Sequence, residues 1–265
     1  MSLQNPLSED LSAENRRLAQ AIDHTRLTFA PGEDEERAIE TLCREALAYG
    51  FYAVCVRPRH VAQAKRLLAG SPVRVATVIG FPAQKVKLAD ELCMPTIGQF
   101  STVEKQVETR QAVDAGADEL DLVINVAALK QDVQSGTQTV RQELLAIAEA
   151  AAGRLIKVII ETDLLTPAEM VQITQWCAET DMGMVKTSTG MVEGGHGATL
   201  EGVRLIARTL RQTEPETATG IKASGGIKSR AQALAFLELG VNRLGTSSGV
   251  AIVGGDDSSA AMGTY

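Results

Sequence analysis

Aromatic residues are scarce in this 265-residue chain, with five Phe, three Tyr and one Trp. The core must therefore be built from Val, Ile, Leu and Ala. With 45% apolar and 22% charged residues, a sizeable core is within reach. Histidine is rarer still: three scattered copies form no H-E-x-x-H pair, and no P-loop pattern is present. The four cysteines (Cys43, Cys55, Cys93 and Cys177) form no C-x-x-C pair. That argues against metal ligation and for buried thiols in a reducing cytoplasm. No stretch approaches the ~20 apolar residues of a membrane span. The opening MSLQNPLSEDLSAENRRLAQ has neither the positive leader nor the apolar run of a secretory signal. Basic excess is missing too, and a net charge of −7 gives no footing for a nucleic-acid or anionic-membrane surface. A cytoplasmic protein without nucleic-acid or membrane partners is expected.

What the chain does have is alternation. Eight short β-branched runs recur, at 21–27, 51–58, 73–82, 119–126, 155–162, 182–190, 219–226 and 242–249. Several are apolar on both faces, as strands of a buried parallel sheet should be. The segments between them carry helix start signals. Thr166-Pro167-Ala168-Glu169 combines a Thr cap, a proline at the first helical position and a Glu that closes a capping box. Ser101 with Glu104, and Ser229 with Gln232, repeat the spacing. Met170, Ile173, Trp176 and Cys177 form one apolar stripe. Gly116, Gly153, Gly183 and Gly240 follow helical patterns, where a left-handed stop favours glycine.

Eight strand–helix units predict an α/β fold: a single (β/α)₈ TIM barrel over residues 1–253, with an extra N-terminal helix covering its N-terminal end and a flexible tail at 254–265. A doubly wound open sheet fits less well, because no G-x-G-x-x-G follows the first strand. Residues 83–101, longer than the other connections, read as a surface excursion after strand 3.

In a barrel, functional groups gather at the C-terminal ends of the strands. Asp121, Lys186 and Lys222 stand on strands 4, 6 and 7 where the pattern calls for apolar residues. Asp121 alone could answer a structural lysine such as Lys157. Three such residues meeting over one mouth suggest a lysine kept neutral by burial and a neighbouring cation, with an acid to move protons. That is the chemistry of a Schiff base. The glycine-rich ends of strands 7 and 8 supply Gly225, Gly226, Gly245, Ser247 and Ser248 as a backbone cradle for phosphate.

These segments resemble a known family, the class I deoxyribose-phosphate aldolases. VKTSTG around Lys186 is similar to the family's Schiff-base motif, IKASGG around Lys222 to its second-lysine motif, and ADELDLVIN to its acid-bearing strand. IDHT, VCV, GFP and KVIIET extend the resemblance from strand 1 to strand 8. The resemblance implies reversible cleavage of 2-deoxy-D-ribose 5-phosphate to acetaldehyde and D-glyceraldehyde 3-phosphate. Lys186 would form the imine, with Lys222 and Asp121 as its catalytic partners. Asp23 and Thr25 would bind hydroxyls, Thr189 and Gly190 would join the substrate site, and Tyr265 at the chain's end would deliver a proton. No metal or organic cofactor is implied, and a homodimer is a candidate assembly. The chain departs from the family at Arg57, in the 83–101 segment, and at Met191, where some members place a lysine; Lys228 is the replacement cation. His196 reads as a solvent-facing loop residue. The alternatives are another Schiff-base or pyridoxal-phosphate enzyme on a phosphorylated sugar, or a non-catalytic sugar-phosphate binder.

Overall fold

The computed structural model describes residues 12–88, 96–213 and 219–255. Eight strands close into a barrel: β1 (Ile22–Arg26), β2 (Ala53–Val56), β3 (Arg74–Ile79), β4 (Glu119–Val123), β5 (Leu155–Ile159), β6 (Met184–Lys186), β7 (Gly220–Ser224) and β8 (Arg243–Thr246). Each strand pairs in parallel with its neighbours in chain order, and β8 returns to β1. Every residue of β2 and β4 is buried, as expected for strands covered on both faces. Among the described residues no helix is long and apolar enough to cross a membrane.

The start signals act where the sequence places them. Ser101, Thr166 and Ser229 each cap a helix through a complete capping box, at Thr102–Asp114, Pro167–Glu179 and Arg230–Glu238. The extra helix, Ala13–Ala19, packs against the short last helix, Gly249–Gly254, and Glu14 reaches Arg230.

Two local expectations change. Gly183 is not a left-handed stop; that backbone belongs to Asp181, at φ 54°. Gly183 is instead required by close packing, since a Cβ there would stand 2.7 Å from Leu155 Cγ. The 83–101 segment is also not simply a surface excursion. Ile97 is fully buried, and a Cβ on Gly98 would come within 2.0 Å of the Ile124 carbonyl oxygen. Near its start, Val86–Lys87 pairs in parallel with Val192–Glu193, just beyond β6. The excursion is thereby fastened to the loop that follows Lys186.

Candidate active site

The strand register brings the ionisable residues together. Lys186 lies opposite Lys222, Lys222 opposite Arg243, and Asp121 opposite Lys157. Side chains paired this way point to the same side, here the barrel's interior. Asp121 Oδ2 accepts from Lys186 Nζ at 2.7 Å and from Lys222 Nζ at 2.8 Å. Its Oδ1 accepts from Lys157 Nζ at 3.0 Å. Asp23 Oδ2 takes Lys222 at 2.5 Å and Lys157 at 3.1 Å, while its Oδ1 takes Arg243 at 2.5 Å. Glu119 closes the lower end, 2.6 Å from Lys157 and 2.9 Å from Arg243.

These groups form a buried column along the barrel. Glu119 and Arg243 are the first residues of their strands, and Lys186 is the last of its own, nearest the mouth. Four buried cations (Lys157, Lys186, Lys222, Arg243) face three buried anions (Asp23, Glu119, Asp121). The set is neutral when one cation gives up its proton. Arg243 cannot. Burial lowers the lysine values, but Asp121, Asp23 and Glu119 outweigh it at Lys157, and Asp121 and Asp23 do so at Lys222, so both end above the ordinary range. At Lys186 burial wins: it pushes the ammonium down, Asp121 opposes, and Lys222 adds to the lowering. Asp121 is itself desolvated, yet Lys157, Lys186 and Lys222 together hold it well below the usual carboxylate range. Asp121 is therefore held as a carboxylate by the three lysines around it. Lys186 is the member able to be a neutral amine.

The loops above are tied across strands. Thr187 Oγ1 donates to the Ser224 carbonyl at 2.9 Å, and Ser224 Oγ returns a bond to the Ser188 carbonyl at 2.5 Å. Arg57 is buried and donates to the Leu27 and Pro82 carbonyls, pinning the ends of the first three strands together. His196 carries an 80% exposed side chain.

The other sequence-predicted residues separate into groups. Gly190, Gly225, Gly226 and Lys228 line one cavity of about 310 Å³, together with Lys85 and Glu161. Thr25, Thr189 and Ser247 line a second, of about 30 Å³, with Leu27, Phe81 and Met191. Ser248 donates its N–H to Thr246 Oγ1. Gly245 has a packing duty: a Cβ would stand 2.8 Å from Ser224 Cβ and 3.1 Å from Lys222 Cε. Asp23 sits inside the ion column, and Tyr265 lies outside the described residues.

Sequence reasoning assigned no role to Glu119, Arg243 or Glu161, and left Lys157 as a structural partner. The signal for Lys157 and Glu119 was available: each is a charged residue inside a strand, with Glu119 two residues before Asp121 on the same face. Glu161 is fully buried at φ 55°, a strained conformation for a residue with a side chain. Its carboxyl accepts from the Thr189 N–H at 3.2 Å and from Thr189 Oγ1. Burial pushes it up to about 7 against the bonds from Thr189. A raised value means that folding takes up a proton between the ordinary 4.5 and about 7. Unfolding free energy should thus fall by roughly 3 kcal/mol as pH rises through that window, then level off. Asp23 and Asp121, both lowered, act in the opposite sense and only in acid. Urea titrations of wild type and Glu161→Gln at pH 5 and pH 7.5 measure this. An equal pH dependence in the two proteins rules out Glu161 as its source.

A family model described as DeoC/LacD family aldolase matches residues 17–252. The chain belongs to the DeoC/LacD aldolase family. It is 40% identical over 240 residues to a deoxyribose-phosphate aldolase of Streptococcus pneumoniae, covering 91% of this chain and 97% of that one. Among solved structures, a tetrameric deoxyribose phosphate aldolase from Aeropyrum pernix superposes with a TM-score of 0.75 at 28% identity, covering 96% of this chain and 97% of that one. The aldolase QR15 gives 0.74 at 33% identity, over 91% and 96%. This DeoC/LacD aldolase is a carbon–carbon lyase, and its barrel encloses the buried lysines described above.

Proposed function

We propose that the chain cleaves 2-deoxy-D-ribose 5-phosphate reversibly to acetaldehyde and D-glyceraldehyde 3-phosphate through an imine at Lys186. One observation carries the reading. Lys186 ends its strand 2.7 Å from an aspartate that two other lysines already hold ionised, so its proton is the one the column can lose. The neutral amine attacks the C1 aldehyde, and loss of water gives an iminium. That cation draws electrons from the C2–C3 bond once the C3 hydroxyl gives up its proton. Asp121 takes this proton through a water, steadied by the Lys222 ammonium on the same carboxylate oxygen, and gives it back when the enamine is protonated at C2. Because its neighbours hold Asp121 far below an ordinary carboxylate, it relays the proton instead of storing it. Glyceraldehyde 3-phosphate leaves, and the enamine is protonated at C2 and hydrolysed to acetaldehyde. The cavity at Gly190, Gly225, Gly226 and Lys228 supports a phosphate-bearing substrate. Asp23 acts by holding Lys222, and Thr25 and Thr189 lie where the sugar hydroxyls would pass.

Borohydride reduction in the presence of acetaldehyde tests the scheme. An ethyl group mapped by mass to Lys186 is expected. An adduct at Lys222, or no adduct, overturns it.

A cytoplasmic location is supported by Cys43, Cys55 and Cys177, which are buried and unpaired. Exposed Val103 and Val107, one turn apart, and Leu145 on the neighbouring helix support a homodimer, which sedimentation velocity measures.

A further inference from the structure

The chain has nine lysines. Six hold carboxylates: Lys65 with Asp118, Lys105 with Glu143, Lys130 with Glu169, and Lys157, Lys186 and Lys222 in the central column. Among the described residues Lys85, Lys87 and Lys228 hold none. Lys85 and Lys228 both line the 310 Å³ cavity that also contains Gly225 and Gly226.

That cavity is otherwise poorly suited to an anion. Glu161, Asp163 and Glu193 line it too. Asp163 accepts from the His196 and Gly197 N–H groups, at 2.7 and 2.8 Å. The glycine loops offer backbone donors, which carry only partial charges. Met191, on the loop after Lys186, is apolar and 2% exposed. A phosphate dianion here needs full positive charges from elsewhere.

The small parallel sheet supplies one. Val86 pairs with Val192 and Lys87 with Glu193; the Val86 N–H donates to the Met191 carbonyl at 3.0 Å and the Leu88 N–H to the Glu193 carbonyl at 2.8 Å. One step back along this register sets Lys85 across from Met191. The backbone bonds fix where Lys85 leaves the chain, at the edge of the cavity, next to the loop that carries Gly190.

We propose that Lys85 is a phosphate-binding residue that sets the preference for phosphorylated over free sugar, brought to the site by strand pairing between the 86–87 and 192–193 segments. It acts with Lys228, so that the 5-phosphate is held by cations from two separate loops. The inference rests on the deoxyribose 5-phosphate reading above and deepens it.

The test compares wild type with Lys85→Ala and Lys85→Arg. With deoxyribose 5-phosphate, Lys85→Ala should raise KM about tenfold or more, equivalent to about 1.4 kcal/mol, with kcat within a factor of three. Its kcat/KM for unphosphorylated deoxyribose should match wild type, and Lys85→Arg should recover most of the affinity. Calorimetric titration with inorganic phosphate provides a readout that needs no turnover. Weaker phosphate binding to Lys85→Ala than to wild type supports the proposal even if wild type fails to cleave deoxyribose 5-phosphate, an outcome that sinks the proposed substrate instead. Equal phosphate binding by the two proteins, no phosphate binding by wild type, or equal loss on both sugars overturns the role of Lys85.

Discussion

Lys186→Arg is expected to abolish turnover, by at least about 10⁴-fold, the scale seen when a covalent nucleophile is removed. Arginine keeps the positive charge and much of the length, so the change isolates a single property. A guanidinium does not lose its proton in a protein and cannot form an imine with an aldehyde. Four buried cations would then face three buried anions with no lysine at the mouth free to become neutral. Borohydride trapping with acetaldehyde should vanish as well. Lys186 itself does not line the proposed phosphate cavity, so calorimetric binding of inorganic phosphate should stay within a few-fold of wild type. Turnover within tenfold of wild type would remove Lys186 from the chemistry.

Lys222→Leu should have the next largest effect, and its signature is a shape as well as a loss. Lys222 bonds both Asp23 and Asp121 through one ammonium group. Without it the buried column holds three cations and three anions, and it is neutral only when Lys186 is protonated. The like-charge neighbour that helps lower Lys186 is also gone. Lys186 must therefore rise, and the neutral amine becomes a minority species near pH 7. Activity there should fall by at least ~100-fold and recover in part as pH increases. The sign is fixed by the group: a lysine attacks only when deprotonated, so a raised value moves the rate profile toward alkaline pH. Breaking a buried ion pair also destabilises a fold by about 3–5 kcal/mol. Circular dichroism and thermal unfolding must accordingly be measured on the same samples. A folded variant with a normal rate and an unchanged pH profile would exclude Lys222 from the mechanism.

Both variants probe residues that stand out in the linear chain, because a charge inside a run of Val, Ile and Leu violates the pattern that builds a buried strand. The same local logic made the barrel legible. Capping boxes at Ser101, Thr166 and Ser229 act within four residues, and strand runs are read from neighbours two residues apart. Other features depended on segments far apart in sequence. Glu119 and Arg243 meet across 124 residues, and Lys222 meets Asp23 across 199. Gly245 reads in sequence as part of a phosphate cradle, yet its missing side chain leaves room for Ser224 and Lys222. The excursion after strand 3 reads as exposed until Ile97 is seen to be buried and Gly98 to pack beside Ile124.

Sequence by itself thus determined that eight strand–helix units form a parallel barrel and that Lys186, Lys222 and Asp121 are out of place in its strands. Only the tertiary structure decided which lysine can be neutral. That choice is a sum of burial and Coulomb terms over seven side chains on six strands, and register, not composition, sets the distances in the sum.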